Sequence, residues 1–134
     1  MILVDTSVLI DFFKGKHNSA VALFEDILDM QIPFGITLHI YQEVLQEAKD
    51  HSEFSALKEY LETIPFYELK HNKESLEKAA LLNLECKEAG IIIQNSVNLI
   101  TAQTAIENKV YLLHNHSDFE KIRAAVPALK IYKK

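Results

Sequence analysis

The chain is predicted to fold as an α/β domain around a mostly parallel sheet. Three observations predict it. Short, continuous, β-prone apolar runs alternate with helix-period segments from one end to the other. Glycine and proline are scarce, at three each, so little of the chain is given over to irregular loops. The 134 residues are 49% apolar, enough for one compact domain with a full core, and residues 1–134 are expected to form a single domain.

Each element follows from local chemistry. Residues 2–4, Ile-Leu-Val, form an uninterrupted apolar run of the kind that suits a buried parallel strand, and Asp5-Thr6-Ser7 ends it. Thr6 or Ser7 can cap the helix expected over 8–14. Asn18-Ser19 caps a second helix over 20–30, whose Val21, Leu23, Phe24, Ile27 and Leu28 share one stripe. Residues 32–36 read as a short strand and turn. Thr37 then opens a helix to about 49, with Ile40, Val44 and Leu45 turned inward, and 52–61 reads as another helix. Residues 65–69 are expected to be a strand. His71 or Asn72 begins a long helix to 89, stopped by Gly90. Ser96 is the expected cap of a helix over 97–108, followed by a strand at 109–113, a short helix from Ser117 to 125, and a last strand at 129–132. No internal repeat, low-complexity tract or linker interrupts this alternation.

Composition narrows the function. A net charge of −5 is a poor footprint for a protein that coats nucleic acid, yet it is compatible with metal-assisted chemistry at one site and with a partner carrying a basic segment. No apolar run approaches a membrane span, and no basic stretch precedes Ile2, so neither a membrane partner nor a signal peptide is expected. The single cysteine, Cys86, sits in a helical pattern as a reduced structural residue, which fits a cytoplasmic protein.

Aspartates are few, and beyond Asp50 only Asp118 remains. In parallel sheets ligands bind at the carboxyl ends of the strands. Asp5 falls at one such end, and His114, His116 and Asp118 fall just past another. Locally, Asp5 suits either a helix N-cap or a functional carboxylate, with Thr6 and Ser7 beside it to cap or to hold it. Glu43 borders an apolar helical stripe, a position where most glutamates are simply solvated. Asn98 lies in a first helical turn, where a polar side chain ordinarily serves the backbone amides. Haloacid-dehalogenase-type phosphotransfer would need a second aspartate at position 7, where serine stands.

Taken together, these segments resemble the PIN-domain ribonucleases, in particular the VapC-type toxins of bacterial toxin–antitoxin pairs. The opening Met1-Ile-Leu-Val-Asp-Thr-Ser-Val-Leu-Ile-Asp-Phe-Phe13 matches the family's first strand and helix. Tyr41-Gln-Glu-Val-Leu-Gln46 resembles the helix carrying the second acidic residue, here Glu43. Gly90, Ser96-Val-Asn-Leu-Ile100 and the stretch 102–105 resemble the segment carrying the third, and Tyr111-Leu-Leu-His-Asn-His-Ser-Asp-Phe-Glu-Lys-Ile122 resembles the segment with a D-x-D-F pattern. The resemblance spans nearly the whole chain. It implies a three-layer α/β/α PIN-like domain in which carboxylates gather at one sheet edge and repel one another until a divalent cation neutralises them. Mg²⁺ or Mn²⁺ suits such an oxygen-rich set, and the outcome is hydrolysis of RNA phosphodiester bonds. It further implies a VapB-like antitoxin, an RNA substrate and a homodimer.

Two positions depart from the pattern. Asn98 stands where the family has aspartate, and His116 stands for the first aspartate of D-x-D-F, while Asp118 is kept. The resemblance thus implies catalytic positions at Asp5, Glu43, Asn98, His116 and Asp118. Asp5, Glu43 and Asn98 would hold metal, and Thr6 and Ser7 would support them. Asparagine keeps the shape of aspartate but loses its charge, and imidazole is a poor Mg²⁺ ligand that better suits Mn²⁺ or Zn²⁺. His114 and His116 share a side if the chain is extended there. Two readings follow: a VapC-like nuclease weakened or silenced at these positions, or a PIN-fold module that binds antitoxin or RNA without catalysis.

Overall fold

The computed structural model describes residues 1–133. Three parallel strands form its sheet: β1 (Ile2–Val4), β2 (Phe34–Gly35) and β3 (Tyr111–Leu113), in the order β2-β1-β3. Leu3 faces Gly35 on one side and Leu112 on the other. All of β1 is buried, so its unbroken apolar run is explained by helices on both faces.

The helices divide into two packed groups. α1 (Thr6–Phe13), α2 (Ser19–Asp29), α3 (Leu38–Leu45) and α4 (His51–Leu61) contact one another in series. α5 (Lys73–Glu88), α6 (Val97–Asn108) and α7 (Ser117–Ala125) form the second group. This gives the expected α/β/α sandwich. Leu3, Phe24, Ile40, Leu112, Phe119 and Ile122 are fully buried at its centre. Cys86 is a free, buried thiol on α5.

Several expectations need correcting. The strands expected at 65–69 and 129–132 are each reduced to one parallel bridge, Ile36 with Phe66 and Leu112 with Ile131. Tyr67 N–H donates to Ile36 O at 2.8 Å and Leu112 N–H to Lys130 O at 2.8 Å. Pro65 contributes only its carbonyl, because it has no N–H to extend the ladder. The helix opened by Thr37 ends at Leu45 rather than near 49, and tight turns carry the chain to Asp50, which caps α4 through Glu53 N–H. The first cap is Asp5 itself, so Thr6 is already helical. Ser96 makes no capping bond; Asn95 Oδ1 accepts Val97 N–H instead. Gly90 does end α5, at φ +76°, while Ile91 N–H reaches back to Cys86 O in a Schellman-type turn.

Candidate active site

At the carboxyl end of β1 the chain must leave a buried strand and start a helix, and Asp5 performs both tasks. Its N–H donates to Leu113 O at 2.9 Å, which continues the ladder with β3. Its Oδ2 accepts from Ser7 N–H at 3.1 Å and from Ser7 Oγ–H at 2.7 Å. Only 5% of the residue is exposed. Burial pushes the Asp5 carboxyl above the ordinary range, and the Ser7 and Thr6 bonds only partly offset it. One carboxylate thus caps α1 and is also buried at a strand end with its carboxyl shifted upward.

Glu43 reaches the same place from α3. Thr6 Oγ–H donates to Glu43 Oε1 at 2.8 Å across 37 positions of sequence. Thr6 and Ser7 thus each hold one carboxylate. On the other side, Asn115 N–H donates to Ser7 Oγ at 2.9 Å, and Asn115 Nδ2 donates to Asp11 Oδ2 at 3.0 Å. Neither Asn115 nor Asp11 was singled out from the sequence. Asp11 lies one helical turn beyond Ser7, which is the signal that could have found it.

The remaining positions form a second, self-contained knot. Asp118 is fully buried. Its Oδ1 accepts from Gln94 N–H at 3.1 Å, and its Oδ2 accepts from Asn95 N–H at 3.1 Å and from Asn98 Nδ2 at 3.0 Å. Burial raises the Asp118 carboxyl, but the Gln94 N–H, the Asn98 amide and the Asn95 N–H together carry it below the ordinary range. Its bonds tie the turn before α6 to the first turn of α7.

His116 is the N-cap of α7, with Nδ1 accepting Asp118 N–H at 3.1 Å. A carboxylate oxygen would make the same bond, so imidazole here does what an aspartate cap would do. That ring nitrogen lies 3.8 Å from Asp118 Oδ2, but it is acting as an acceptor, so we read the contact as a cap and not as an ion pair. His114 Nδ1 accepts His116 N–H at 3.1 Å, and its Nε2 lies 3.0 Å from Glu120 Oε2. Both nitrogens of His114 are engaged, as is Nδ1 of His116, so the pair offers no shared face to a metal.

Among the described residues, no group of three or more His, Cys, Asp or Glu side chains is arranged to hold a metal ion. The candidate oxygen donors at the end of β1 are the carboxylates of Asp5 and Glu43, held by Ser7 and Thr6, while the Asn98 amide nitrogen is turned to Asp118 in the other cluster. Mg²⁺ commonly takes only one or two protein carboxylates and keeps several waters. The chemistry of this donor set therefore fits a hard cation held loosely, and it does not fit a closed cage.

No protein-family model matches the chain. No curated protein matches it either. Among solved structures, the crystal structure of FitAcB from Neisseria gonorrhoeae is similar, with a TM-score of 0.69 and 18% identity over 99% of this chain and 97% of that one. At this identity the likeness is one of fold, and it shows that the chain has a PIN-like α/β/α architecture.

Proposed function

We propose that the protein is a VapC-like toxin, a metal-dependent endoribonuclease whose activity is weakened or silenced in this sequence by Asn98 and His116. One observation carries the reading. Two carboxylates from separate segments, Asp5 and Glu43, are brought to the carboxyl edge of a PIN-like sheet, and Thr6 and Ser7 hold them in place. The buried Asp5, with its raised pKa, is a group that gains from a cation. Asp5 and Glu43 would hold Mg²⁺ or Mn²⁺, with the Asn98 carbonyl as a neutral third donor. The bound ion would activate water and stabilise charge on the scissile phosphate. The chain's own contribution is positional: Ser7 fixes Asp5, Thr6 fixes Glu43, and Asp118 fixes Asn98.

The remaining partners follow from the same reading. A groove of about 470 Å³ between α1, α3 and α4, floored by Ile10, Phe13, Val44, Leu57 and Tyr60, supports docking of an amphipathic antitoxin segment. The net charge of −5 suits a basic one. Leu76, Leu81 and Leu84 are exposed apolar side chains on α5, which supports a homodimer. No helix among the described residues is long and apolar enough to cross a membrane.

The test compares this chain with Asn98→Asp, incubated with RNA and Mn²⁺ or Mg²⁺. Cleavage by the restored chain, abolished by chelator and by adding Asp5→Ala, is the expected result. The second reading, a binding module without catalysis, is favoured by the full occupation of Asp118's oxygens. It prevails if the restored chain is folded, binds RNA or antitoxin, and cuts nothing with either metal.

A further inference from the structure

The carboxyl ends of neighbouring chain segments lie side by side along the sheet edge. Beyond Asp5, on the side of β2, a cavity of about 290 Å³ opens between the end of β2, the residues after Phe66 and one face of α6. Tyr67, His39, Asn72 and Thr104 are in its wall. It starts at the end of β2, the strand beside β1, and runs along α6 from Ile100 to Thr104.

Three features of this cavity are unexplained by folding alone. The first is Asn72, which holds φ +48° and ψ −118°, a conformation that favours glycine and strains any other residue. The strain is imposed from outside. Lys70 N–H is tied to Glu107 Oε1 at 2.8 Å, His71 N–H to Ser75 Oγ at 3.0 Å, and Glu68 O to Asn108 Nδ2 at 2.9 Å. The Asn72 side chain, exposed at the cap position of α5, makes no capping bond and no other hydrogen bond among the described residues, so its amide is open to solvent and to a ligand. The second is Tyr67. Its ring lies so close to Gly35 that a Cβ there would fall 2.8 Å from it, so the glycine sets the ring's position. The third is charge. Lys70 and Lys73 lie on either side of Asn72 at the cavity's margin, are exposed, and form no ion pair among the described residues, and the one charged side chain in the wall is Glu68.

A fixed aromatic ring, an unused amide with both donor and acceptor atoms, and flanking cations are what an unpaired nucleotide requires. We propose that this cavity is a subsite for one unstacked nucleobase of the bound RNA, packed against Tyr67 and read by Asn72, with Lys70 and Lys73 near its phosphates. The inference rests on the nuclease reading and deepens it. The substrate would be single-stranded or looped RNA, and the identity of the base next to the cut would matter.

The test is binding, not cleavage, so it does not depend on position 98. Short fluorescent homopolymer RNAs of the four bases are titrated by anisotropy, in Ca²⁺, against the full chain and against Tyr67→Ala, Tyr67→Phe and Asn72→Gly. Tyr67→Ala should weaken the preferred homopolymer about 5- to 100-fold, and Tyr67→Phe should restore most of it. Asn72→Gly should reduce the preference between bases while leaving the chain folded, with an equal or higher Tm because its strain is relieved. If RNA binds but folded Tyr67→Ala changes its affinity less than twofold for every base, the subsite is wrong and the nuclease reading stands. If the full chain and Asn98→Asp bind no RNA, the nuclease reading falls and takes the subsite with it.

Discussion

Asp5 and Asp118 are the same residue type, both buried and both at the start of a helix, yet they ionise in opposite directions. Asp5 is held mainly by one neighbour, Ser7, and its carboxyl is pushed up. Asp118 receives two backbone N–H groups and the Asn98 amide, and its carboxyl is pulled down. Burial acts on both. Each carboxylate has three hydrogen-bond donors, so the deciding difference is how heavily burial penalises the charged form: it outweighs the donors at Asp5 and is outweighed at Asp118. The comparison also gives a physical account of Asn98. An aspartate there would set a second carboxylate against Asp118 Oδ2, and the two would need a cation between or beside them. The amide supplies a donor instead, so Asp118 is met by hydrogen bonds alone, whereas Asp5 keeps a raised carboxyl.

The largest effect is expected at the satisfied carboxylate. Asp118→Ala should leave the buried Asn98 amide without its acceptor and remove the charged partner of the Gln94 and Asn95 N–H groups, at a cost of roughly 2–5 kcal/mol in urea unfolding. A loss below about 1 kcal/mol would show that the knot is not what holds the turn to α7.

Next comes the variant that turns the second region into a copy of the first. Asn98→Asp removes a hydrogen bond to a charged group, so in chelator it should destabilise by roughly 1.5–3 kcal/mol. Mn²⁺ should return most of that loss, and return much less to the unmodified chain. Equal stabilisation of both by Mn²⁺ would mean that position 98 does not face the ion.

His116→Ala should cost about 1 kcal/mol as a lost cap, whereas His116→Asp should change stability little, because either side chain accepts Asp118 N–H. Thermal melts of the two variants check this. A large loss in both would show that the imidazole does more than cap α7.

The smallest effect, of opposite sign, is expected at Asp5. Its folded carboxyl holds a proton more tightly than the unfolded one. Its contribution to stability is therefore full below the ordinary value of 3.8 and is lost as pH rises through the raised folded value. Asp5→Asn should gain slightly on the parent as pH rises toward neutrality in chelator. Asp118 runs the other way: its contribution is present above 3.8 and is lost as pH falls through its lowered folded value. Melts over a pH series separate the two.

What the sequence determined by itself was the layout. The buried strands at 2–4 and 111–113, the helix stop at Gly90 and the start of the last helix at Ser117 are set by neighbours a few positions away, through apolar runs, caps and turn chemistry. Asp5 and Glu43 could also be picked out, because the motifs around them are local. The structure alone decided which group each polar side chain serves. Thr6 reaches Glu43 over 37 positions, Asn115 reaches Ser7 over 108, and the donors that lower Asp118 come from 20 to 24 positions away. The shortening of the outer strands to single bridges was settled in the same way, because an edge segment pairs only as far as its one neighbour allows. Local pattern fixes where a residue sits along the chain. Hydrogen bonds and burial between distant segments fix which way its carboxyl is shifted, up at Asp5 and down at Asp118.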